Sequence, residues 1–171
     1  FIETHYSHFN AGELAKCTDS LREFLDGGGR LMITLAGAMS TAEVGKSLAP
    51  AIRSQKVHAI CCTGANLEEE LFGLFSRSEY EHVPNWRHQS KEEDAELHQR
   101  GMNRVTDVAI PESTFTKLGE SLMSLWEESE AVGDSRFPHE YVYDLLLHGD
   151  LEVSSAPEDS WLVAAADANL P

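Results

Sequence analysis

Between Leu31 and Leu71 the chain spells a strand, a small-residue turn and a helix start twice over, and that repetition restricts its fold more than any other feature. Leu31 to Ala36 is a short, nearly continuous apolar run of the kind found in strands covered on both faces. Gly37 and Ala38 then leave room for a close approach to the backbone. In Ser40-Thr41-Ala42-Glu43 a Ser hydroxyl and a Glu carboxylate three residues on can satisfy each other's free N–H groups, which predicts a capping box and a helix from about Thr41. Its buried stripe would be Val44, Leu48 and Ile52, with a kink or an early end at Pro50. The second unit has a strand from Val57 to Cys62, the turn Thr63-Gly64-Ala65, and Asn66 as N-cap with Glu69 three positions on.

Strands joined through a helix lie parallel with a right-handed crossover, so the pattern predicts an α/β fold. Both turns then sit at the carboxyl ends of neighbouring strands, where open α/β sheets bind ligands and where two helix N-termini present their N–H groups. The expected crevice is lined by Gly37, Ala38, Met39, Ser40, Thr41, Thr63, Gly64, Ala65, Glu68 and Glu69. Neither G-x-G-x-x-G nor G-x-x-x-x-G-K-[ST] is present, so spacing alone leaves open a nucleotide site or a turn that binds nothing. Glu68, Glu69 and Glu70 on a first helical turn are explained by the helix dipole, or by an ammonium group held at the crevice mouth.

With 171 residues and 42% hydrophobic content the chain can build one core, so one domain is expected. No run of 18 apolar residues and no signal-peptide pattern occurs, which predicts a soluble, cytoplasmic protein away from membranes. Cys61 and Cys62 are adjacent on a strand, point to opposite faces and should not pair, and Cys17 is alone. The net charge of −16, from 29 acids against 13 bases, argues against nucleic acid, whose backbone needs Lys and Arg. It favours a cationic substrate or a basic partner.

Around this core the periodicity predicts helices at Asn10–Asp26 (Asn10 and Glu13 as a cap pair; Leu14, Leu21, Phe24 and Leu25 as the apolar face), Lys91–Arg100, Glu112–Ala131, a segment opening at Phe137-Pro138, and Ser160–Ala168. Asn103 to Ile110 reads as a third strand. His5 and His8 lack a third ligand and His139-Glu140 lacks a second His, so no metal site is expected. Ser40 is not in a G-x-S-x-G elbow.

Taken in order, HYSHFNAGEL, LAGAMSTAEVG, VHAICCTGANLEEEL, VPNWR, GMNRVTDVAIPE, FPHEYVYDLLL and EDSWLVAAADANLP closely resemble the bacterial deoxyhypusine synthase-like proteins, relatives of eukaryotic and archaeal deoxyhypusine synthase. The resemblance covers essentially the whole chain. It implies a Rossmann-like three-layer α/β/α fold with a mostly parallel sheet, of which residues 1–171 are the N-terminal part of a single NAD-binding domain. It also implies a homotetramer with active sites between subunits. NAD would oxidise spermidine, and an aminobutyl group would pass through a lysine imine to an acceptor amine, a protein lysine or, in homospermidine-forming relatives, putrescine. Carried over, the cofactor loops fall on Gly37, Ala38, Met39, Ser40 and Thr41 and on Thr63, Gly64 and Ala65. The acidic pair contacting cofactor and polyamine falls on Glu68 and Glu69. If Glu69 closes a capping box, Glu68 is the freer amine ligand.

Two departures accompany the resemblance. Ala38 stands where eukaryotic enzymes have a polar residue, although the LAGAMS form is shared with bacterial relatives. The family's catalytic lysine belongs to its C-terminal half, and none of Lys16, Lys46, Lys56, Lys91 or Lys117 lies in the matching motif, so no catalytic residue is expected in this chain. A start on Phe1 and an end on Asn169-Leu170-Pro171 are read as the front part of a longer protein. The alternative function is a catalytically inactive, truncated subunit that binds a full-length partner.

Overall fold

The computed structural model describes residues 1–149 and 153–171. Two strands, β1 (Met32–Leu35) and β2 (Ala59–Cys62), pair in parallel with Met32 opposite Ala59 and Leu35 opposite Cys62. The crossover between them is α3 (Gly45–Arg53), and α4 (Gly64–Ser76) leaves the end of β2. The repeated strand, turn and helix units are therefore present. The pairing is extended at both sides: His58 N–H donates to the Leu31 carbonyl at 2.8 Å, and Ile60 N–H donates to the Pro171 carbonyl at 3.0 Å on the other edge of β2.

Helices cover one face of this small sheet; Met32, Thr34 and Cys61 are exposed, so in this chain the strands are not covered on both faces as the apolar run from Leu31 to Ala36 suggests. Leu48, Ala49 and Ile52 of α3 meet α8 (Trp161–Asp167), whose Leu162, Ala164 and Ala165 are fully enclosed. Small side chains on α8 let the two helix backbones approach closely. Leu71, Phe72 and Leu74 place α4 inside the same core, where Phe72 meets Phe115 of α6 (Glu112–Val132) with ring centroids 4.3 Å apart. Val142 and Leu145 of α7 (Pro138–His148) complete the cluster. The helices predicted at the end of the chain all form, and α8 starts as expected, with the Ser160 hydroxyl accepting the Val163 N–H. Burial of the larger of these apolar side chains, each contributing roughly 1.5–3 kcal/mol, is what offsets the entropy of ordering the chain.

Several expectations are corrected. Asn103 to Ile110 is a hairpin and not one strand: β4 (Met102–Val105) and β5 (Val108–Pro111) run antiparallel, and β3 (Glu81–His82) pairs with β5. Thr106, at φ 54° in the left-handed region, and Asp107 reverse the chain in two residues. Among the described residues the parallel sheet thus has two strands and a separate antiparallel sheet three, so a mostly parallel sheet is not what these residues form.

The two cap assignments also change. Residues 37–44 are turn and α3 starts only at Gly45, because Glu43 adopts φ 59° and turns its carboxylate to Lys46 and Arg77 instead of back to Ser40. Helix α4 begins at Gly64 with Thr63 at the N-cap, so Asn66 is its third residue and not its cap. Helix α3 runs past Pro50 to Arg53; Lys46, whose carbonyl loses a donor there, is exposed to water. At the front, after a short α1 (Ile2–His5), α2 (Phe9–Asp26) starts one residue before Asn10 and uses neither Asn10 nor any other side chain as a cap. Its apolar face is not buried in this chain: Leu14, Leu21 and Phe24 are 57%, 44% and 55% exposed. In α5 (Lys91–Gln99), a solvated helix as expected, the capping box comes from Ser90 and Glu93.

Candidate functional site

The carboxyl ends of β1 and β2 carry the two turns side by side, and one side chain holds them together. Asn66, with no exposed surface, accepts the N–H groups of Met39 and Ser40 on Oδ1 at 3.1 and 3.2 Å. Its Nδ2 donates to the Ala36 carbonyl at 2.6 Å and to the Thr63 hydroxyl at 3.0 Å. Every hydrogen-bonding position of the amide is used, and the reverse placement of its O and N would face donors with donors. The bracket spans Ala38, which sits at φ 63°, a left-handed conformation that costs a non-glycine residue about 1–2 kcal/mol.

Ser40 is almost completely buried. Its hydroxyl donates to the Asn66 carbonyl at 2.9 Å and accepts the indole N–H of Trp161 at 2.9 Å, so it is spent inside the protein. Glu69, 9% exposed, accepts the Thr41 N–H at 3.3 Å. Thr41 itself is buried, and its hydroxyl has no hydrogen-bond partner among the described residues. Thr63, Gly64, Ala65 and Glu68 are exposed, and Met39 is 37% exposed. A Cβ built on Gly37 or Gly64 would meet nothing within 4 Å, which shows open space above both turns.

All ten expected crevice residues therefore lie on the two adjoining turns and the first two turns of α4, but they divide by role. Gly37, Met39, Thr63, Gly64, Ala65 and Glu68 face outward; Ser40, Thr41 and Glu69 are turned into the protein, with Ala38 half-buried between. No acid lies in the first turn of α4, so the helix dipole, which fades beyond that turn, does not account for Glu68 to Glu70. No side chain caps α4, leaving its first N–H groups for water or an anion.

Behind the turns lies a cavity of about 210 Å³ whose walls include Ser40, Glu43, Glu70, Arg77, Ser155 and Ser160. Of the expected crevice it contains Ser40 only. Glu70, 8% exposed, accepts the Trp161 N–H at 3.1 Å. Burial pushes its carboxyl above the usual range, against the Ser160 hydroxyl and that N–H, which favour the charged form. Tyr80 is pushed up to about 12 by burial, opposed by Arg77 and aided by the carboxylates of Glu69 and Glu70. The Arg77 guanidinium lies 5.4 Å from the Tyr80 ring centre and reaches Glu43 at 2.8 Å.

Three contributors escape the sequence patterns. Asn66 looked like a cap because Asn is a preferred one. Glu70 was indistinguishable from its two acidic neighbours. Trp161 is 121 residues from Ser40, and nothing local to either announces the contact. Among the described residues no group of three His, Cys, Asp or Glu side chains could hold a metal ion, and no helix is long and apolar enough to cross a membrane.

The chain is similar to known proteins along nearly all of its length. The sequence model of the deoxyhypusine synthase family matches residues 3–171. A probable deoxyhypusine synthase of Halobacterium salinarum is 25% identical over 166 residues, covering 95% of this chain and 46% of that protein. Probable deoxyhypusine synthase 2 of Methanosarcina mazei is 28% identical over 143 residues, covering 82% of this chain and 38% of the relative. Its counterpart in Methanosarcina acetivorans is 29% identical over 140 residues, covering 80% and 37%. The chain thus spans less than half the length of these curated relatives. With the family match running from the first turn of the molecule through both crevice turns to Pro171, the chain belongs to the deoxyhypusine synthase family.

Proposed function

We propose that this chain forms the cofactor-binding part of an NAD-dependent transferase that moves an aminobutyl group from spermidine to an acceptor amine, a protein lysine or putrescine. The observation that carries the reading is the meeting of turns 37–41 and 63–65 at the ends of two parallel strands, with the exposed Glu68 beside them, in a chain matched by the family over residues 3–171. The fold would be the Rossmann-like three-layer arrangement of the family, completed by residues outside this chain.

The residues present fit a dinucleotide. The uncapped start of α4 offers N–H groups to a pyrophosphate, and the open space above Gly37 and Gly64 admits it. NAD, when bound, supplies the hydride acceptor for polyamine oxidation. The chain's own groups bind and orient. Met39, Thr63, Gly64 and Ala65 shape the rim, Ser40 and Glu69 hold the first turn in place from behind, and Glu68, exposed beside them, attracts an ammonium group. Glu68 is the better amine ligand because the Glu69 carboxylate already serves the Thr41 N–H.

Calorimetric titration of the protein expressed from its full reading frame tests this. Glu68→Gln should weaken spermidine binding about three- to tenfold at low salt, the scale of one partly exposed charge pair, and leave NAD affinity within twofold. Unchanged spermidine binding would sink the role of Glu68, and a wild-type protein that does not bind NAD would sink the reading as a whole.

A further inference from the structure

We infer that Asn66 is the positioning residue of this site: its buried side chain presets the backbone of the first turn before any ligand arrives. The inference rests on the cofactor reading above and adds a residue that touches no ligand in it. Three observations converge. The amide's bonds all go to the two turns and to the end of β1 that carries the first of them: Met39 N–H, Ser40 N–H, the Ala36 carbonyl, the Thr63 hydroxyl and, at 3.5 Å, the Leu35 carbonyl. The residue enclosed by those grips, Ala38, holds a left-handed backbone that an alanine leaves unless its neighbours are fixed. The backbone of Asn66 is itself gripped, because its carbonyl accepts the Ser40 hydroxyl, which in turn holds the Trp161 indole.

The physical consequence is preorganisation. A turn already held in its binding shape does not lose conformational freedom when a ligand settles on it, so the ordering cost falls on folding and not on binding. Asn66 points inward while Thr63, Gly64 and Ala65, its neighbours in the same turn, face outward. It thus links the rim that meets the ligand to the strand ends that support it. Asp in its place would keep an acceptor for the two N–H groups but would turn an oxygen toward the Ala36 carbonyl and lose both donors.

Hydrogen exchange and NAD titration, run together on the full-length protein, test the assignment. In Asn66→Ala the amides of Met39 and Ser40 should exchange at least about tenfold faster while amides in α6 keep their protection, and NAD affinity should fall about tenfold, as expected for losing a buried hydrogen-bond bracket. If Asn66→Ala does not fold, the isosteric Asn66→Asp carries the test, with faster exchange at the same two amides expected. Uniformly faster exchange throughout the molecule would reduce Asn66 to an ordinary stabilising residue and overturn the inference. So would a folded variant that binds NAD as tightly as the wild type. A wild-type protein that fails to bind NAD, with Met39 and Ser40 protected, overturns the cofactor reading and takes the positioning role with it, which separates the two failures.

Discussion

Glu68, Glu69 and Glu70 are identical residues in succession, and the fold gives each a different surrounding. Glu68 stands in water, Glu69 faces a backbone N–H, and Glu70 is enclosed beside Trp161 and Ser160. Burial dominates at Glu70 and raises its folded pKa above the ordinary value of 4.5. For an acid raised on folding, the folded state holds the proton more tightly, so its contribution to stability is complete below the unfolded pKa and is lost as pH rises through the folded one. Glu70→Gln keeps an oxygen for the Trp161 N–H without the charge. Relative to the wild type, the variant should therefore gain stability as pH is raised from about 4 to about 7, measured as the difference in urea midpoints. Carboxylates held low, such as Asp144 beside His148 and Arg136, titrate alike in both proteins and cancel in that difference. A difference that stays flat or reverses over this range would show that Glu70 is ionised without penalty.

At the level of elements, two helix glycines separate intrinsic propensity from packing. Alanine is preferred to glycine in a helix interior by about 1 kcal/mol. At Gly119, exposed on α6, a Cβ meets nothing within 4 Å, so Gly119→Ala should stabilise by roughly 0.5–1 kcal/mol. At Gly45, the first residue of α3, a Cβ would stand 2.4 Å from the backbone oxygen of Asp159, so Gly45→Ala should destabilise by roughly 1–3 kcal/mol despite its better propensity. Chemical denaturation of both variants decides it, and a stabilised Gly45→Ala would mean that α3 and the turn before α8 can part freely. The pair also shows what a sequence can carry. The stripe Val44, Leu48 and Ile52, the long α6 and the opening of α8 near Ser160 were legible because their signals are local and periodic. The capping box around Ser40 failed because Glu43 adopts a left-handed backbone with no glycine to announce it, and Asn66 is not a cap because α4 starts two residues earlier, at Gly64. The hairpin at Thr106-Asp107 was missed for a related reason, as the run on either side has strand character throughout. The candidate turns were found; the bracket that fixes them was not, because it links residues 26 to 121 positions apart.

For the molecule as a whole, α2 is the element least accounted for by the core. Of its 18 residues only Gly12 is buried, while Leu14, Leu21 and Phe24 stand about half exposed or more on a helix joined to the body at points such as the Lys56–Asp26 pair, 2.9 Å apart. Phe9 at 92% and Tyr6 at 55% exposure are further large apolar side chains in water near the front of the chain. A monomer seldom leaves so many large apolar side chains of one segment in water, since covering them returns roughly 25 cal/mol for each Å² removed from solvent. The homo-oligomer that the sequence resemblance implies would supply a cover, and its contacts would have to be strongly apolar to hold together copies that each carry a charge of −16. Leu21→Glu combined with Phe24→Glu should therefore dissociate the assembly, lowering the mass seen by sedimentation velocity by a factor of about two or more, because each charge would have to be desolvated against like charge. Helical content and the thermal midpoint of the separated subunit should change little, as these side chains bury only part of their surface within their own chain. An assembly of unchanged mass would place the subunit contacts elsewhere, and a wild-type protein that sediments as a monomer would overturn the expectation of a homo-oligomer.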